Sequence, residues 1–151
     1  MTTEPDLLSR IRIFVYTDIA DIGVPPTVER IAAEFSVQVT VARDAIEELA
    51  RTRQVILDPA TREVWMAGPF SAVPTRFRVH GTRVSWWANC AWDMLGIPAA
   101  LRQNVRVDAT CADCGEVAHL DVDAASGPES DSGLVHILLP ANRWYHDIGF
   151  T

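Results

Sequence analysis

The sequence predicts an α+β fold: an N-terminal winged-helix-like unit of three helices, then a small mixed β-sheet domain that carries a helix around Cys90. Two patterns point there. Apolar residues recur at helical spacing through three segments of the first third of the chain, and a strand–turn–strand pattern closes that third. From about residue 75 the pattern changes to strand-like runs broken by a single apolar helical segment, "WWANCAWDMLGIPAAL".

Residues 6–20 place Leu7, Leu8, Ile11, Phe14, Val15 and Ile19 on one helical face. "DIGVPP" ends that helix with Gly and two prolines. Thr27 is placed to N-cap a second helix, with Glu29 and Arg30 in its first turn and Val28, Ile31, Ala32 and Phe35 as its apolar positions. Thr40 is expected to cap a third, with Val41, Ala45, Ile46 and Leu49 inward. "QVILD", a "PATR" turn and "EVWMA" read as a hairpin. Three helices followed by a hairpin is the order of a winged helix. The expected division is residues 1–67 for this unit, 68–74 for a linker and 75–151 for the second domain. In the latter, "RFRVH", "RVSWW", "VRVDAT", "VAHLDVDA" and "LVHILLP" read as strands, the last of them buried, and "ANCAWDMLGIPAALR" as a helix. "ASGPESDSG" reads as a polar loop.

Charge narrows the partners. The formal net charge is −7, and such a chain lacks the phosphate attraction that dominates non-specific nucleic-acid binding. The outer face of the third helix carries Arg43, Asp44, Glu47, Glu48 and Arg51, and its three acids would repel a DNA backbone. Nucleic acid is therefore not expected as a partner, and the three-helix unit reads as a scaffold or docking domain. No apolar run approaches the roughly 20 residues needed to cross a bilayer, and the polar, acidic start is the wrong order for a secretory signal. The expectation is a cytoplasmic protein that does not enter membranes; the sequence leaves its oligomeric state open.

All three cysteines, Cys90, Cys111 and Cys114, fall within 25 residues. The odd number argues against a disulfide framework and for thiol or metal chemistry. On a helix, Cys90 and Asp93 would share a face. Thiolate sulfur is a soft metal ligand, and a carboxyl group among Trp86, Trp87, Trp92, Met94 and Leu95 would be pushed toward its neutral form. Such a pair suits one kind of chemistry, in which sulfur holds a soft metal while the acid protonates a carbon attached to it. The residue types alone favour the plainer reading of a packed cysteine and a solvent-facing acid. "CADCGE" has the shape of half a zinc knuckle, with His119 as a conceivable third ligand, and it reads equally as a structural turn or a redox pair. Of the other histidines, His136 reads as a core residue within an apolar strand and His80 as a strand end, while His146, beside Asp147, could approach the site but is not counted among its residues.

"PFSAVPTRFRV", "WWANCAWDMLGIPAAL" and "CADCGE", taken together, resemble the alkylmercury lyase (organomercurial lyase) family over essentially the whole chain. The resemblance implies protonolysis of a carbon–mercury bond, giving a hydrocarbon and thiolate-bound Hg(II). Cys90 and Asp93 match the family's active-site cysteine and aspartate. They would serve as nucleophile and metal ligand, and as proton donor. It implies small organometallic substrates, small-molecule thiols as partners, Hg(II) as bound product and no required cofactor. The candidate metal-ligand set is Cys90, Cys111 and Cys114, with zinc at Cys111 and Cys114 as a further option. The family's second catalytic cysteine follows a W-x-D-I-x-F-T-like segment, and this sequence reads "WYHDIGFT" up to Thr151. The expectation is a form shortened at that end, with weak cleavage unless another thiol is supplied. Two alternatives accompany this reading: a non-catalytic soft-metal-binding protein of the same fold, and a winged-helix metal-responsive regulator.

Overall fold

A computed structural model describes residues 5–129 and 133–149. Helix α1 (Pro5–Ile22) opens the chain, followed by α2 (Val28–Phe35) and α3 (Val39–Arg51). Ile11, Val15 and Ile19 of α1 are buried, as are Val28 and Ile31 of α2 and Ala42, Ala45, Ile46 and Leu49 of α3. The helical spacing read from the sequence thus produces the interhelical core. Thr27 caps α2, its hydroxyl accepting from the Arg30 amide at 3.3 Å. The start of α3 differs from expectation. Gln38 takes the cap position, so the helix begins before Thr40, and Ala42 rather than Val41 faces inward.

The hairpin is β1 (Ile56–Leu57) and β2 (Val64–Ala67). Its turn is held by Asp58, whose carboxylate accepts from the amides of Thr61 at 2.7 Å and Ala60 at 2.9 Å. The chain then forms β3 (Phe70–Ser71), β4 (Phe77–His80), β5 (Ser85–Ala88), α4 (Ala91–Leu101), β6 (Val105–Thr110), β7 (Val117–Asp123) and β8 (Gly127–Pro128). A short 3₁₀ turn covers Ala141–His146.

Among the described residues the strands make one eight-stranded sheet in the order β1-β2-β3-β5-β4-β6-β7-β8. Every pairing is antiparallel, where a mixed sheet was expected. The reason is local: neighbouring strands are joined mainly by short turns, and a parallel pair needs a crossover of a dozen or more residues. The segment expected as a linker contributes β3, with Phe70 paired to Ala88 and Ser71 to Trp87. It thereby carries the sheet from the hairpin into the second half. Gly127 and Pro128, expected in a loop, pair with β7.

The expected buried strand at 134–140 is not formed. Leu134 is 99% exposed, Leu138 67% and Ile137 46%, and His136 is exposed, not a core residue. An apolar run becomes a strand only with a sheet edge to pair, and this segment pairs with none among the described residues. The expected site for a second cysteine, at the end of "WYHDIGFT", reaches Phe150 and Thr151, which lie outside the described residues.

Helix α4 packs on the sheet through Met94, Ile97 and Pro98. Trp86 ties the sheet to α1: it is buried, and its indole N–H donates to the Ile19 carbonyl at 2.9 Å. Just beyond, Gly23 has φ +94°, and a Cβ there would meet the Ser85 carbonyl oxygen at 2.8 Å. Only glycine allows both that backbone turn and that approach.

Candidate active site

Strand β5 ends at Ala88, whose carbonyl accepts from the Thr75 hydroxyl at 2.6 Å. This bond and the pairing with Phe70 keep Ala88 in the sheet. The helix therefore starts at Ala91, not at residue 88, and Cys90 occupies its N-cap position with extended backbone (φ −148°, ψ 178°). Asp93 lies in the helix's first turn, so Cys90-Ala-Trp-Asp93 has the spacing of a capping box with sulfur in place of the hydroxyl. An N-cap side chain and the side chain three residues on face each other across the first turn. The two groups are thus brought together as the sequence implied, by a cap rather than by a shared helical face.

Both groups are raised above their ordinary values. Burial pushes the Cys90 thiol up, and the Asp93 charge adds to this; the amides of Asp93 and Trp92 act in the opposite direction. Those amides make no capping hydrogen bond of normal geometry to the sulfur, and burial prevails. Burial also raises Asp93, opposed by hydrogen bonds from Asn89 and from the Cys90 thiol. Asn89 Oδ1 is buried and has no hydrogen-bond partner among the described residues. A protonated Asp93 would need an acceptor, and an amide oxygen beside it can serve once the amide is turned.

Cys90 and Asp93 open onto a cavity of about 810 Å³. Tyr16 of α1, Met66 of β2, Phe77 of β4 and Trp92 form much of its wall, with Trp144 and Tyr145 from the C-terminal segment. Tyr16 is anchored by its hydroxyl, which donates to the Gln54 carbonyl at 2.8 Å. Arg53 lies 4.6 Å from the Tyr145 ring centre, and so joins the N-terminal half to the C-terminal segment across the cavity. The chamber combines one thiol and one carboxyl group with aromatic and aliphatic walls, and Arg12 and Arg53 line it as well, so it offers an apolar ligand both contact area and a few polar groups to orient it.

The three tryptophans around Cys90 have different roles. Trp86 is core, Trp87 stacks under the Arg78 guanidinium at 4.4 Å, and Trp92 is 63% exposed. Trp92 was expected to be buried, but position two of the first turn points away from the sheet, toward the cavity mouth. Asn89, Tyr16 and Tyr145 were missed as site residues. Asn89 had a signal, as a polar residue beside Cys90 in an apolar run. The tyrosines had none, because the fold alone brings residues so far apart in sequence together.

Cys111 and Cys114 do not line this cavity. They sit exposed on the turn between β6 and β7, so the three cysteines do not form one ligand set. Among the described residues no group of three or more His, Cys, Asp or Glu side chains is arranged to hold a metal. His119 is engaged elsewhere: it bonds one oxygen of Asp108 at 2.6 Å, and His80 bonds the other at 2.8 Å. These bonds, His119 first, hold the Asp108 carboxyl below its usual range. His146 does not line the cavity, although His136 does.

Comparison with known proteins bears on the fold and the family. No curated protein matches the chain, but solved structures do. The crystal structure of the mercury-bound form of MerB2 superposes with a TM-score of 0.63 at 20% sequence identity. That match covers 87% of this chain and 63% of the other, so this chain spans less than two thirds of that protein's length. At this identity the likeness establishes the α+β fold. The family comes from the sequence: the alkylmercury lyase model matches residues 70–150, more than half of the chain and the whole stretch from β3 through the Cys90 cap to the cavity's C-terminal wall. The chain belongs to the alkylmercury lyase family.

Proposed function

We propose that the protein is an organomercurial lyase-like enzyme that cleaves a carbon–mercury bond by protonolysis, with Cys90 as nucleophile and mercury ligand and Asp93 as proton donor. The observation that carries this is the Cys90 thiol and the Asp93 carboxyl together in the wall of one cavity, with burial raising both groups above their ordinary values. An organomercurial R–Hg–X binds through sulfur: the S–Hg bond forms, X⁻ leaves, and the thiol proton passes to the Asp93 carboxylate or to solvent. The acid then delivers its proton to the carbon. The C–Hg electron pair becomes the C–H bond, R–H departs, and Hg(II) stays on Cys90. A second thiolate, from a small thiol, completes mercury's coordination. Burial raises the Asp93 carboxyl above its ordinary value, the direction a proton donor requires. This reading goes with a cytoplasmic protein, where small thiols are kept reduced.

The measurement is benzene release from phenylmercury over a series of small-thiol concentrations, corrected for the thiol-only reaction. Release is expected to be slow alone, to rise with thiol and to fall sharply in Asp93→Ala. If Asp93→Ala matches wild type throughout, Asp93 is a packing residue. If neither protein releases benzene, the non-catalytic soft-metal-binding reading takes over. That reading is favoured by one observation: Cys90 is the single thiol on the cavity wall among the described residues.

The N-terminal unit, read as a winged-helix-like domain of about residues 1–67, serves here as a wall of the cavity. Arg51 is paired with Glu48 and Arg62 with Glu47. The cations a DNA-reading helix and wing would use are thus partly neutralised, which weighs against the regulator reading. Binding to duplex DNA at low salt, with its salt slope, tests this.

A further inference from the structure

The turn between β6 and β7 holds the chain's other two thiols, and the cavity chemistry leaves them unused. The two strands pair up to Thr110 and Val117. Across the turn, the Cys111 amide donates to the Glu116 carbonyl at 2.8 Å and the Gly115 amide donates to the Cys111 carbonyl at 3.1 Å. Gly115 has φ +76°, which lets the chain double back. This clamp holds the backbone of the short C-x-x-C turn, so that both cysteines sit on one tight loop. Both cysteines are exposed and free.

We infer that Cys111 and Cys114 form a second, cavity-independent site: a two-thiolate chelate for a soft ion that accepts two-coordination, such as Hg(II). The coordination number carries the choice of ion. Zinc requires four ligands, and among the described residues no third His, Cys, Asp or Glu stands ready. His119, the nearest histidine in sequence, is held by Asp108. Soft thiolates with nothing further to offer select a soft ion satisfied by two sulfurs. In binding, Hg(II) exchanges its two original ligands for the two sulfurs, and the two thiol protons leave with the displaced ligands. The turn keeps the two cysteines close together beforehand, so the second Hg–S bond forms at high effective concentration and the chelate resists displacement by a monothiol.

The test uses the full chain with Cys90→Ser, which leaves only this pair and cannot be confused with events in the cavity. Mercuric chloride is added in the presence of excess monothiol, and protein-bound mercury is measured after desalting, with free thiols counted in parallel. One mercury per monomer is expected, with both thiols lost. Adding Cys111→Ser or Cys114→Ser should each weaken retention by about 100-fold or more. Zinc chloride in place of mercury should leave no metal bound. The inference is overturned if the Cys90→Ser chain gives up mercury as readily as the single-thiol variants, if zinc is retained at one per chain, or if sedimentation shows mercury bridging two chains. None of these outcomes depends on benzene release, so failure here and failure of the lyase reading are separable.

Discussion

The Cys90 and Cys111 sulfurs sit in nearly the same local frame and have opposite tendencies. Each is followed by Ala, and each has an acid two or three residues on. Each has the amides of the residues two and three positions ahead acting to favour its thiolate: Trp92 and Asp93 at one site, Asp113 and Cys114 at the other. At Cys111 those amides are the largest influences and the thiol is lowered; burial comes after them. At Cys90 burial comes first and the thiol is raised. A C-x-x-acid or C-x-x-C spacing therefore does not set a thiol's reactivity by itself. Removal from water decides whether the local amides prevail, because desolvation penalises the charged form more than two amides stabilise it.

The largest expected effect is at the buried thiol. Cys90→Ser should abolish benzene release from phenylmercury while the thermal unfolding curve stays nearly unchanged, since sulfur and oxygen differ little in volume but greatly in softness. A greater loss in Cys111→Ser would move the chemistry to the turn.

Asp93→Asn comes next, with an expected loss of about 100-fold or more in the release step, the usual cost of removing a positioned general acid. It also carries a stability signature. Burial raises Asp93 in the folded state, so its proton is held more tightly folded than unfolded. Stability linked to that proton is complete below the unfolded pKa of about 3.9 and is lost as pH rises through the higher folded value. Asparagine does not ionise. Relative to wild type, Asp93→Asn should therefore gain stability in urea unfolding from pH 4 to pH 7. A difference that does not change with pH would show that Asp93 is not desolvated as described.

A smaller effect compares the thiols directly. With a neutral alkylating agent at pH 7.5, mass spectrometry should find Cys111 modified at least about tenfold faster than Cys90, through greater thiolate fraction and access. Equal rates would remove the contrast between the two sites.

The smallest effect concerns the cavity mouth. Trp92 is 63% exposed, so Trp92→Ala should change unfolding free energy by under about 1 kcal/mol. By admitting water beside Cys90 it should also bring that thiol's alkylation closer to the rate at Cys111. No change in the rate would mean that burial at Cys90 comes from the sheet and α4 alone.

The sequence by itself determined the helices, because Ile11, Val15, Ile19, Ile31, Ile46 and Leu49 repeat at a period that only a helix can turn to one side. It determined the Thr27 cap and the pairing of Cys90 with Asp93, since both depend on neighbours within four residues. It also marked the family, through a run of adjacent residues. Tertiary structure decided what depends on distant partners. Ala88 stays in a strand because Phe70 and Thr75 hold it there, and so Cys90 becomes a cap. The apolar run from Leu134 to Leu138 stays out of the sheet because a strand needs an edge as well as a pattern. The cavity needs Tyr16, Met66, Phe77 and Tyr145 at one point, and no local signal links residues that far apart. Burial itself, which sets Cys90 and Cys111 on opposite courses, is a property of the assembled fold: water is excluded by everything packed around a group, and almost none of that is adjacent in sequence.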